Sequence, residues 1–471
     1  MKKVMMTAGT AFCLLFPVLL GGQETGLLRL DKKQGASSGS EVALVGGVEE
    51  GRFRPVSDPH FQWSAGAEAQ FVRHGVRSSW FGTISLEQMM GKYNRPSLFL
   101  EPGYFPMDLL DSSAGTGSRQ TGRIEFGWLG DVGDLWEVGF RTSAKLANDL
   151  KKTAFRHSSL GTDLELQPFV TFVSDDDTRV VTSYLVRLRT EKGKPSAPDS
   201  DWSALAPVFF DKGMAYGAYD PTLCAFPVLE FSHGFDGEYR SPGMSLGFDI
   251  IWKRGRAGEK DYSRFRFPGS TIGGYFEILR EGFEVDRTYR IAYRRMRDQF
   301  REAASSGFEA VSDRAGRNLK ITAGLQPHEG ILKRLALDLD GNHWTERAVA
   351  SPVWDRTQRM DGAATLLATL SKGAVDLDAS LMGGMGGWLD RGRAAEDAVG
   401  DVPVRFGEHW LRKTEYFLAL RMGMGGTVTW RIPAVKGLFL QFHGYWIRAF
   451  NVSYLGGKNR ETVTLKIGYN Y

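Results

Sequence analysis

The chain has few cysteines, little excess charge of one sign and no long apolar run after its first residues. Of its 471 residues only two are cysteines. Cys13 lies in the apolar stretch of the predicted signal peptide, so the mature chain keeps only Cys224. A single cysteine cannot form an intramolecular disulfide. The formal net charge is +4, and charges of both signs are scattered, which argues against a nucleic-acid-binding protein. Apolar runs after Leu20 stay below the ~18 residues that a membrane-spanning helix needs.

Residues 1–22 have the layout of a secretory signal peptide. Lys2 and Lys3 precede the apolar stretch, which is too short to cross a bilayer as a helix, and small residues follow it. Cys13 lies inside this stretch and not just after it, which disfavours a lipoprotein. We expect residues 1–22 to be the signal peptide, although no clear cleavage motif follows the apolar stretch, residues 23–40 to be a short periplasmic tail, and residues 41–471 to be a single outer-membrane domain.

Past this tail, apolar residues recur at every second position. The last strand is the clearest example: its apolar face consists of Val463, Leu465, Ile467, Tyr469 and Tyr471. The intervening residues are polar or small, and side chains alternate faces along a strand. The same alternation recurs near 244–253, 331–340, 415–424 and 438–447, with charged residues on the polar face. One apolar and one polar wall is the pattern of a transmembrane β-barrel.

The pattern predicts an all-β fold, a transmembrane antiparallel up-and-down β-barrel of about 18 strands, with 16 possible. The candidate strands lie near 41–53, 61–73, 77–89, 119–130, 134–147, 162–174, 179–190, 226–238, 243–255, 268–279, 286–298, 316–326, 331–342, 357–369, 375–387, 412–429, 437–450 and 460–471. Closure of the sheet is required because a bilayer leaves no partner for open backbone groups.

The predicted connections are sorted by length. Short ones include 74–77, 131–133, 174–178, 239–242 and 432–435. Most of the longer ones fall in between, near 90–118, 148–161, 191–225, 256–267, 299–315, 343–356 and 388–411. Outer-membrane barrels have short periplasmic turns and long extracellular loops. A soluble propeller or sandwich is the alternative fold, but it has no reason to sort its loops, and no fixed repeat of the propeller kind is visible.

Patterns that carry chemistry are weak. None of the eight histidines forms a metalloprotease motif, and no nucleophile elbow is present. Ser232 and His233 are adjacent on a predicted strand, so they face opposite sides and cannot share a proton. The run 175–177 of aspartates lacks the spacing of a calcium loop. The sequence therefore predicts no enzyme, no catalytic residues, no metal site and no cofactor.

Three long loop segments, 91–104, 211–219 and 258–268, mix aromatic and charged residues. Such loops either fold inward to constrict the lumen or pack as a cap on the barrel mouth. Together with polar-face residues of the strands they supply the candidate pore-lining or constriction residues. These are Asn94, Arg95, Glu101, Tyr104, Asp211, Tyr216, Tyr219, Arg334, Asp338, Arg421 and His443.

Short motifs in these loops also carry a resemblance. The chain from about residue 40 to its end resembles an outer-membrane β-barrel family of Bacteroidota that bears only a label of unknown function. The motifs are 94–96, 211–219, 226–228 with 232–234, and 258–260 with 266–268. The resemblance implies a barrel of the porin superfamily and a Bacteroidota host. It implies no activity and no functional residues.

The sequence leaves three functions open. The first is a channel or transport-associated barrel for small solutes, with an unknown substrate and a lumen of mixed charge. The second is a non-conducting surface scaffold, accessory to a nutrient-uptake or secretion complex. The third, which the sequence favours least, is a barrel hydrolase. Expected partners are outer-membrane lipid, the barrel-assembly machinery through the C-terminal aromatic Tyr471, and a receptor or lipoprotein.

Overall fold

A computed structural model of the chain describes most residues from Gly39 to Asn470. The described ranges are 39–53, 59–92, 97–111, 115–152, 156–174, 176–196, 208–211, 217–219, 226–258, 264–349, 356–390, 411, 414–453, 455 and 457–470. The predicted signal peptide, nearly all of the predicted tail and Tyr471 lie outside these ranges.

Eighteen strands form one antiparallel sheet. They are β1 (Gly39–Gly51), β2 (Phe61–His74), β3 (Ser78–Lys92), β5 (Thr116–Asp131), β6 (Trp136–Lys151), β7 (Arg156–Val173), β8 (Arg179–Ser196), β11 (Phe226–Ser241), β12 (Met244–Ala257), β13 (Phe265–Arg280), β14 (Val285–Ala304), β15 (Gly307–Pro327), β16 (Leu332–Ala348), β17 (Arg356–Lys372), β18 (Val375–Asp390), β19 (Leu420–Arg431), β20 (Leu438–Phe450) and β21 (Asn459–Asn470). Three short strands, β4 (Asp108–Asp111), β9 (Val208–Asp211) and β10 (Gly217–Tyr219), form a separate sheet.

The large sheet is closed. Each barrel strand pairs with the next one along the chain, and β1 pairs with both β2 and β21. At the closing seam Val42 lies opposite Tyr469 and Val48 lies opposite Val463. No barrel strand is therefore left with an unpaired edge. The predicted 18-stranded up-and-down barrel is confirmed.

The alternation read from the sequence corresponds to the two walls of the barrel. Large apolar side chains point outward and are exposed on many of the strands, among them Leu44, Leu246, Met422 and Ile467. Their neighbours along each strand point inward. The short connections that join β2 to β3 and β5 to β6 lie on one rim, together with every second connection after them (β7 to β8, β11 to β12 and so on). This rim is called here the short-turn end. The opposite rim, called the long-loop end, carries the remaining connections.

Two predicted long connections are wrong. Residues 299–315 belong to β14 and β15, which are 20 and 21 residues long and are joined by a two-residue turn, Ser305 and Ser306. Most of 148–161 likewise belongs to β6 and β7. Both hairpins extend past the ~10 residues that cross a bilayer. On β14 and β15 the outward residues that come next after Tyr293 and Leu319 toward the long-loop end are arginines, so the apolar outer face ends before the strands do.

The predicted strand 412–429 is wrong in its first part. Residues 414–418 form one helical turn, in which the amide of Ala419 donates to the carbonyl of Glu415 at 2.9 Å. The strand begins only at Leu420. Tyr416 therefore does not face lipid as the alternation predicts, and its ring packs 5.0 Å from that of Phe53. An apolar i, i+2 spacing over so few residues cannot distinguish a strand from a helical turn.

Among the described residues, no helix has the length and apolar character required to cross a membrane.

Candidate functional site

Inward-facing residues give the lumen a wall of paired charges. Arg141 donates to Glu125 at 2.8 Å and Arg294 donates to Asp249 at 3.0 Å, each across neighbouring or nearby strands. The predicted candidate Asp338 lies 3.2 Å from the ammonium group of Lys320. Cross-strand pairs of opposite charge satisfy each other at short range. The wall therefore presents both signs, as the sequence predicted for a lumen of mixed charge.

A segment of the connection between β3 and β5 folds into this lumen. We call residues 97–110 the inserted loop. Its two limbs are joined by the amide of Leu98, which donates to the carbonyl of Leu109 at 2.8 Å, and by a bridge between Ser97 and Leu110. Its second limb, β4, pairs antiparallel with β9, and β9 pairs with β10. Two long connections are thus linked in one small sheet at the barrel mouth.

Apolar packing holds the inserted loop against one side of the wall. The inner surface near the long-loop end of β11 to β15 is apolar instead of charged, and the loop covers it. The cluster contains Leu98, Phe99, Phe105, Met107 and Leu109 of the loop and Phe226, Val228, Ala257, Phe265, Phe267, Phe300 and Val311 of the wall. Burying one such side chain contributes about 1.5–3 kcal/mol. Five of them provide a substantial anchor for a segment of this length.

Glu101 forms the deepest charged contacts of the inserted loop. Its carboxylate accepts from Lys145 of β6 at 2.6 Å and from Arg189 of β8 at 2.9 Å. Burial acts to raise the pKa of Glu101, but the two cations outweigh it and hold the pKa well below its usual range. Glu101 is therefore an anion at neutral pH that joins the loop to two different strands.

Tyr104 lies beside Glu101 and contacts the wall on another side. Its hydroxyl donates to Glu230 of β11 at 2.6 Å, and the guanidinium of Arg189 lies 3.9 Å from its ring centroid. The ammonium group of Lys253 is 5.3 Å from the same centroid. Burial raises the pKa of Tyr104, so the phenol stays protonated and keeps donating. Cations over an aromatic face are attracted by its quadrupole.

Arg314 of β15 binds the backbone of the inserted loop from the opposite direction. Its guanidinium donates to the carbonyl of Gly103 at 2.7 Å, to that of Phe105 at 3.1 Å, and to that of Tyr104. The same group donates to Asp298 of β14 at 2.9 Å and 3.0 Å. One planar side chain thus binds three consecutive loop carbonyls. A lysine could not replace it, because its ammonium group has fewer donors and lacks the fork geometry of a guanidinium.

A second structure enters the lumen from another part of the wall. The helical turn 414–418 places Phe417 under the guanidinium of Arg359, 4.6 Å from its ring centroid. Arg421 of β19 donates to the carbonyls of Tyr416 and Phe417, both at 3.2 Å. These contacts satisfy carbonyls at the end of the turn that have no helical partner. The long-loop end of the barrel is therefore narrowed from two sides.

The structure places the predicted candidates in separate groups. Glu101 and Tyr104 lie together in the inserted loop, and Arg421 supports the helical turn. His443 faces the lumen and lies 2.9 Å from the hydroxyl of Thr427. Arg334 is exposed near the short-turn end, beside a β-bulge. For Asp211 and Tyr219 the structure describes only backbone, in β9 and β10. Asn94, Arg95 and Tyr216 lie outside the described residues.

Sequence reasoning missed the wall residues that hold the loop. Arg189, Glu230 and Lys253 occupy inward positions in strands that were correctly predicted, whereas Arg314 lies in the part of β15 that was predicted to be a connection. The sequence feature that could have indicated the first three is a charged residue at a position predicted to face the lumen. Dozens of inward positions share that property, however, and only the folded barrel shows which of them meet Glu101 and Tyr104.

Residues considered for chemistry are dispersed in the structure. Ser232 is buried on the inner wall, where its hydroxyl donates to Glu230 at 3.0 Å. His233 points to the outer face, with its ring centroid 5.5 Å from that of Trp252. The two side chains therefore lie on opposite sides of the wall. In the part of the chain that the structure describes, no three His, Cys, Asp or Glu residues are grouped to hold a metal ion.

Comparison with known proteins gives structural similarity only. No family model and no curated protein sequence matches the chain. The iron transporter FrpB of Neisseria meningitidis aligns over 94% of this chain and 82% of its own, with 10% identity and a TM-score of 0.44. The outer-membrane transporter YddB of Escherichia coli aligns over 92% and 81%, with 7% identity and a TM-score of 0.46. The resemblance to a Bacteroidota family stays a prediction.

Proposed function

We propose that the protein is an outer-membrane channel or transport-associated barrel for small solutes, with the inserted loop as its constriction. The observation that carries this proposal is the loop itself, which is held inside the lumen by Glu101, Tyr104 and Arg314. A lid or adhesive cap needs no charged contacts far inside the barrel. A constriction needs a fixed position, which these contacts supply.

The apolar outer face supports placement in a membrane. A closed barrel with apolar residues outside and paired charges inside suits a bilayer, because every backbone group of the sheet is paired. The sorted connections support the usual orientation, with the short-turn end in the periplasm. Export through the predicted signal peptide and a Bacteroidota host are further parts of the proposal.

The size of the barrel supports a pore beside the loop. Eighteen strands spaced about 4.8 Å apart and tilted by about 40° give roughly 35 Å between opposite backbones. One hairpin-like segment, about 10 Å thick like any packed layer, fills only part of that width. Wall charges of both signs favour small polar solutes over strong selection for one ion sign.

Single-channel recording in planar bilayers tests this proposal. We expect stepwise conductance from the intact protein and at least a twofold larger step when residues 98–109 are replaced by a short Gly-Ser linker. The matched control is Arg317→Gln, which changes an outward residue of β15 and leaves the lumen unaltered. If both the intact barrel and the linker variant are silent, the protein is not a channel.

The small sheet of β4, β9 and β10 favours a second candidate function. It joins two long connections at the barrel mouth, which gives a defined surface to a receptor or lipoprotein partner. This is the non-conducting scaffold, accessory to an uptake or secretion complex. Replacement of residues 208–219 by a linker separates the two functions. Loss of a co-purifying partner with unchanged conductance supports a docking role for this surface.

A further inference from the structure

The outer surface of the barrel carries an unusual concentration of arginine on four adjacent strands. We call this group the arginine belt. It lies on β12 to β15, near the long-loop end, and every member is exposed and faces outward. Its members are Arg254, Arg256, Arg266, Arg295, Arg297 and Arg317.

The belt begins where the apolar surface ends. On β14 the outward residues Tyr289, Ile291 and Tyr293 are followed by Arg295 and then Arg297, whereas on β15 the apolar series stops at Leu319 and Arg317 comes next. The change occurs at one level, since Tyr293 lies opposite Leu319 and Arg295 lies opposite Arg317.

On β12 the same change takes place. Trp252 is the last exposed apolar residue, and Arg254 and Arg256 follow it on the same face. On β12 the change lies further toward the long-loop end than on β14, because Trp252 is opposite Ser270 of β13, which is opposite Arg297. The end of the apolar band marks the border between hydrocarbon and headgroups in a barrel of this kind. The belt therefore lies at the depth of the lipid headgroups on the long-loop side.

Within the belt, arginines lie directly opposite one another across the sheet. Arg256 is paired with Arg266, and Arg295 is paired with Arg317. Directly opposed side chains are about 5 Å apart at Cβ, and like charges there destabilise the sheet. Unpaired cations at such positions are an arrangement that a bound anion stabilises.

Protein carboxylates do little to neutralise the belt. Arg297 lies 3.3 Å from Asp313. In the described part of the chain no ion pair joins a carboxylate to Arg254, Arg256, Arg295 or Arg317. Arg266 stacks on Phe308 instead, at 3.9 Å from the ring centroid. The guanidinium groups are thus available for ligands from outside the protein.

We propose that the arginine belt binds the phosphate groups of lipid A in the outer leaflet of the membrane. Guanidinium groups bind phosphate oxygens through two parallel hydrogen bonds. Lipid A has a phosphate at each end of a disaccharide and acyl chains below it. The acyl chains contact the apolar surface at Tyr293 and Leu319, and the phosphates meet the arginines above. This inference rests on the outer-membrane placement proposed above.

The opposite rim of the barrel offers a matched control. Arg280 of β13 and Arg287 of β14 are also exposed, outward and directly opposed. They lie at the short-turn end, on the side of the periplasmic leaflet. A double variant there removes two directly opposed outward arginines from β13 and β14, which are two of the four strands of the belt. Lipid A bound by the belt is unaffected by that change.

Native mass spectrometry of the intact detergent-solubilised barrel tests the proposal. The probes are bis-phosphorylated lipid A, its dephosphorylated form, phosphatidylglycerol and inorganic phosphate. The belt variant is Arg256→Gln, Arg266→Gln, Arg295→Gln and Arg317→Gln combined. The control is Arg280→Gln with Arg287→Gln. Folding of each is checked by heat-modifiable migration in gels.

We expect the intact protein and the control variant to bind bis-phosphorylated lipid A at least tenfold more tightly than the belt variant does. We also expect the intact protein to bind bis-phosphorylated lipid A at least tenfold more tightly than it binds the dephosphorylated form. Equal binding by the belt variant overturns the proposal. So does equal binding of phosphatidylglycerol or effective competition by inorganic phosphate, because either indicates a general anion surface. If the belt variant fails to fold, the comparison of probes on the intact protein decides alone.

Conductance distinguishes this inference from the proposed channel. The belt faces away from the lumen, so a folded belt variant keeps the conductance of the intact barrel. Lipid A binding without conductance contradicts the channel and leaves the belt proposal standing. Conductance with no preference for phosphorylated lipid A contradicts the belt proposal alone.

Discussion

Arg314 donates to the carbonyl of Gly103 at 2.7 Å, although the two residues are 211 positions apart in the chain. The barrel wall thereby binds the backbone of the inserted loop at its turn. Arg314 is itself oriented by Asp298, which is buried. Because Asp298 orients Arg314 and Arg314 binds three loop carbonyls, the barrel wall determines the position of the inserted loop.

Arg314→Ala is expected to release the inserted loop without unfolding the barrel. The variant loses three hydrogen bonds from a charged donor, together worth about 3 kcal/mol or more. We expect amide hydrogen exchange at Leu98 and Leu109 to accelerate about 100-fold, since every 1.4 kcal/mol is a factor of ten. Arg317→Ala, an outward change on the same strand, leaves exchange unchanged. Equal exchange in Arg314→Ala and the intact protein contradicts this role.

Glu101 makes the loop position depend on pH in the acid range. Its pKa is lowered from the ordinary 4.5, so its ion pairs contribute fully above pH 4.5. They are lost progressively as the pH falls below that value toward the lowered pKa. We expect hydrogen exchange at Leu98, corrected for intrinsic rate, to be constant from about pH 7 to 5 and to rise below about pH 4.5.

Glu101→Gln is the comparison for this pH dependence. The amide cannot ionise, so exchange at Leu98 is already faster at neutral pH and the difference from the intact protein shrinks on acidification. A difference that stays constant down to pH 3 contradicts the assignment of the acid response to Glu101.

Two substitutions at Tyr104 separate its hydroxyl from its ring. Tyr104→Phe loses the hydrogen bond to Glu230, about 1.5–2 kcal/mol, while Ser232 still donates to that carboxylate. Tyr104→Ala also loses the ring beneath Arg189 and the packing beside it. We expect single-channel conductance close to that of the intact protein for the phenylalanine variant, and a larger, noisier conductance for the alanine variant. Identical recordings from both variants contradict a role for the ring.

His328 and Asp286 form an ion pair at the short-turn end, 3.0 Å apart. The hydrogen bond that His328 donates to the carboxylate of Asp286 is the main cause that raises the pKa of His328 above 6.5. The stabilisation from this pair is therefore present below about pH 6.5 and is lost as the pH rises through the raised pKa. Histidine-selective NMR titration should show His328 titrating above 6.5. In Asp286→Asn its midpoint should fall, and an unchanged midpoint contradicts this pairing.

Most of the barrel was predictable because its determinants are local. Val463, Leu465 and Ile467 face outward for the same reason that their alternation was visible in the sequence, namely that a lipid-facing strand must be apolar on one side. The sequence failed where that constraint is absent. The parts of β14 and β15 near the long-loop end carry arginines on the outer face and the apolar residues Phe300 and Val311 on the inner face, which reverses the expected alternation. Residues 414–418 lie in the lumen, where helical and extended backbone are equally acceptable.

The candidate site was predictable only in part. Glu101 and Tyr104 stood out because a solvated loop has little use for a cluster of aromatic and charged residues. Their partners did not stand out, because Arg189 looks like any other lumen-facing cation and Arg314 lies in a segment that was predicted to be a connection. His443 and Arg334 were chosen because they were predicted to face the lumen, and they lie away from the inserted loop. Charge at an inward position is not sufficient for contact with the loop, and the apolar wall residues that contact it show that charge is not necessary either.

By itself, the sequence determined the closed barrel and the two faces of its wall, because a bilayer imposes a period of two and forbids unpaired strand edges, and it narrowed the strand number to 18 or 16. Only the tertiary structure decided that residues 97–110 lie inside the lumen. That outcome depends on apolar wall residues of β11 to β15, on the ion pairs of Glu101, and on hydrogen bonds between residues up to 211 positions apart. Contacts of this kind are set by barrel closure, which brings distant strands together, and no local pattern records them.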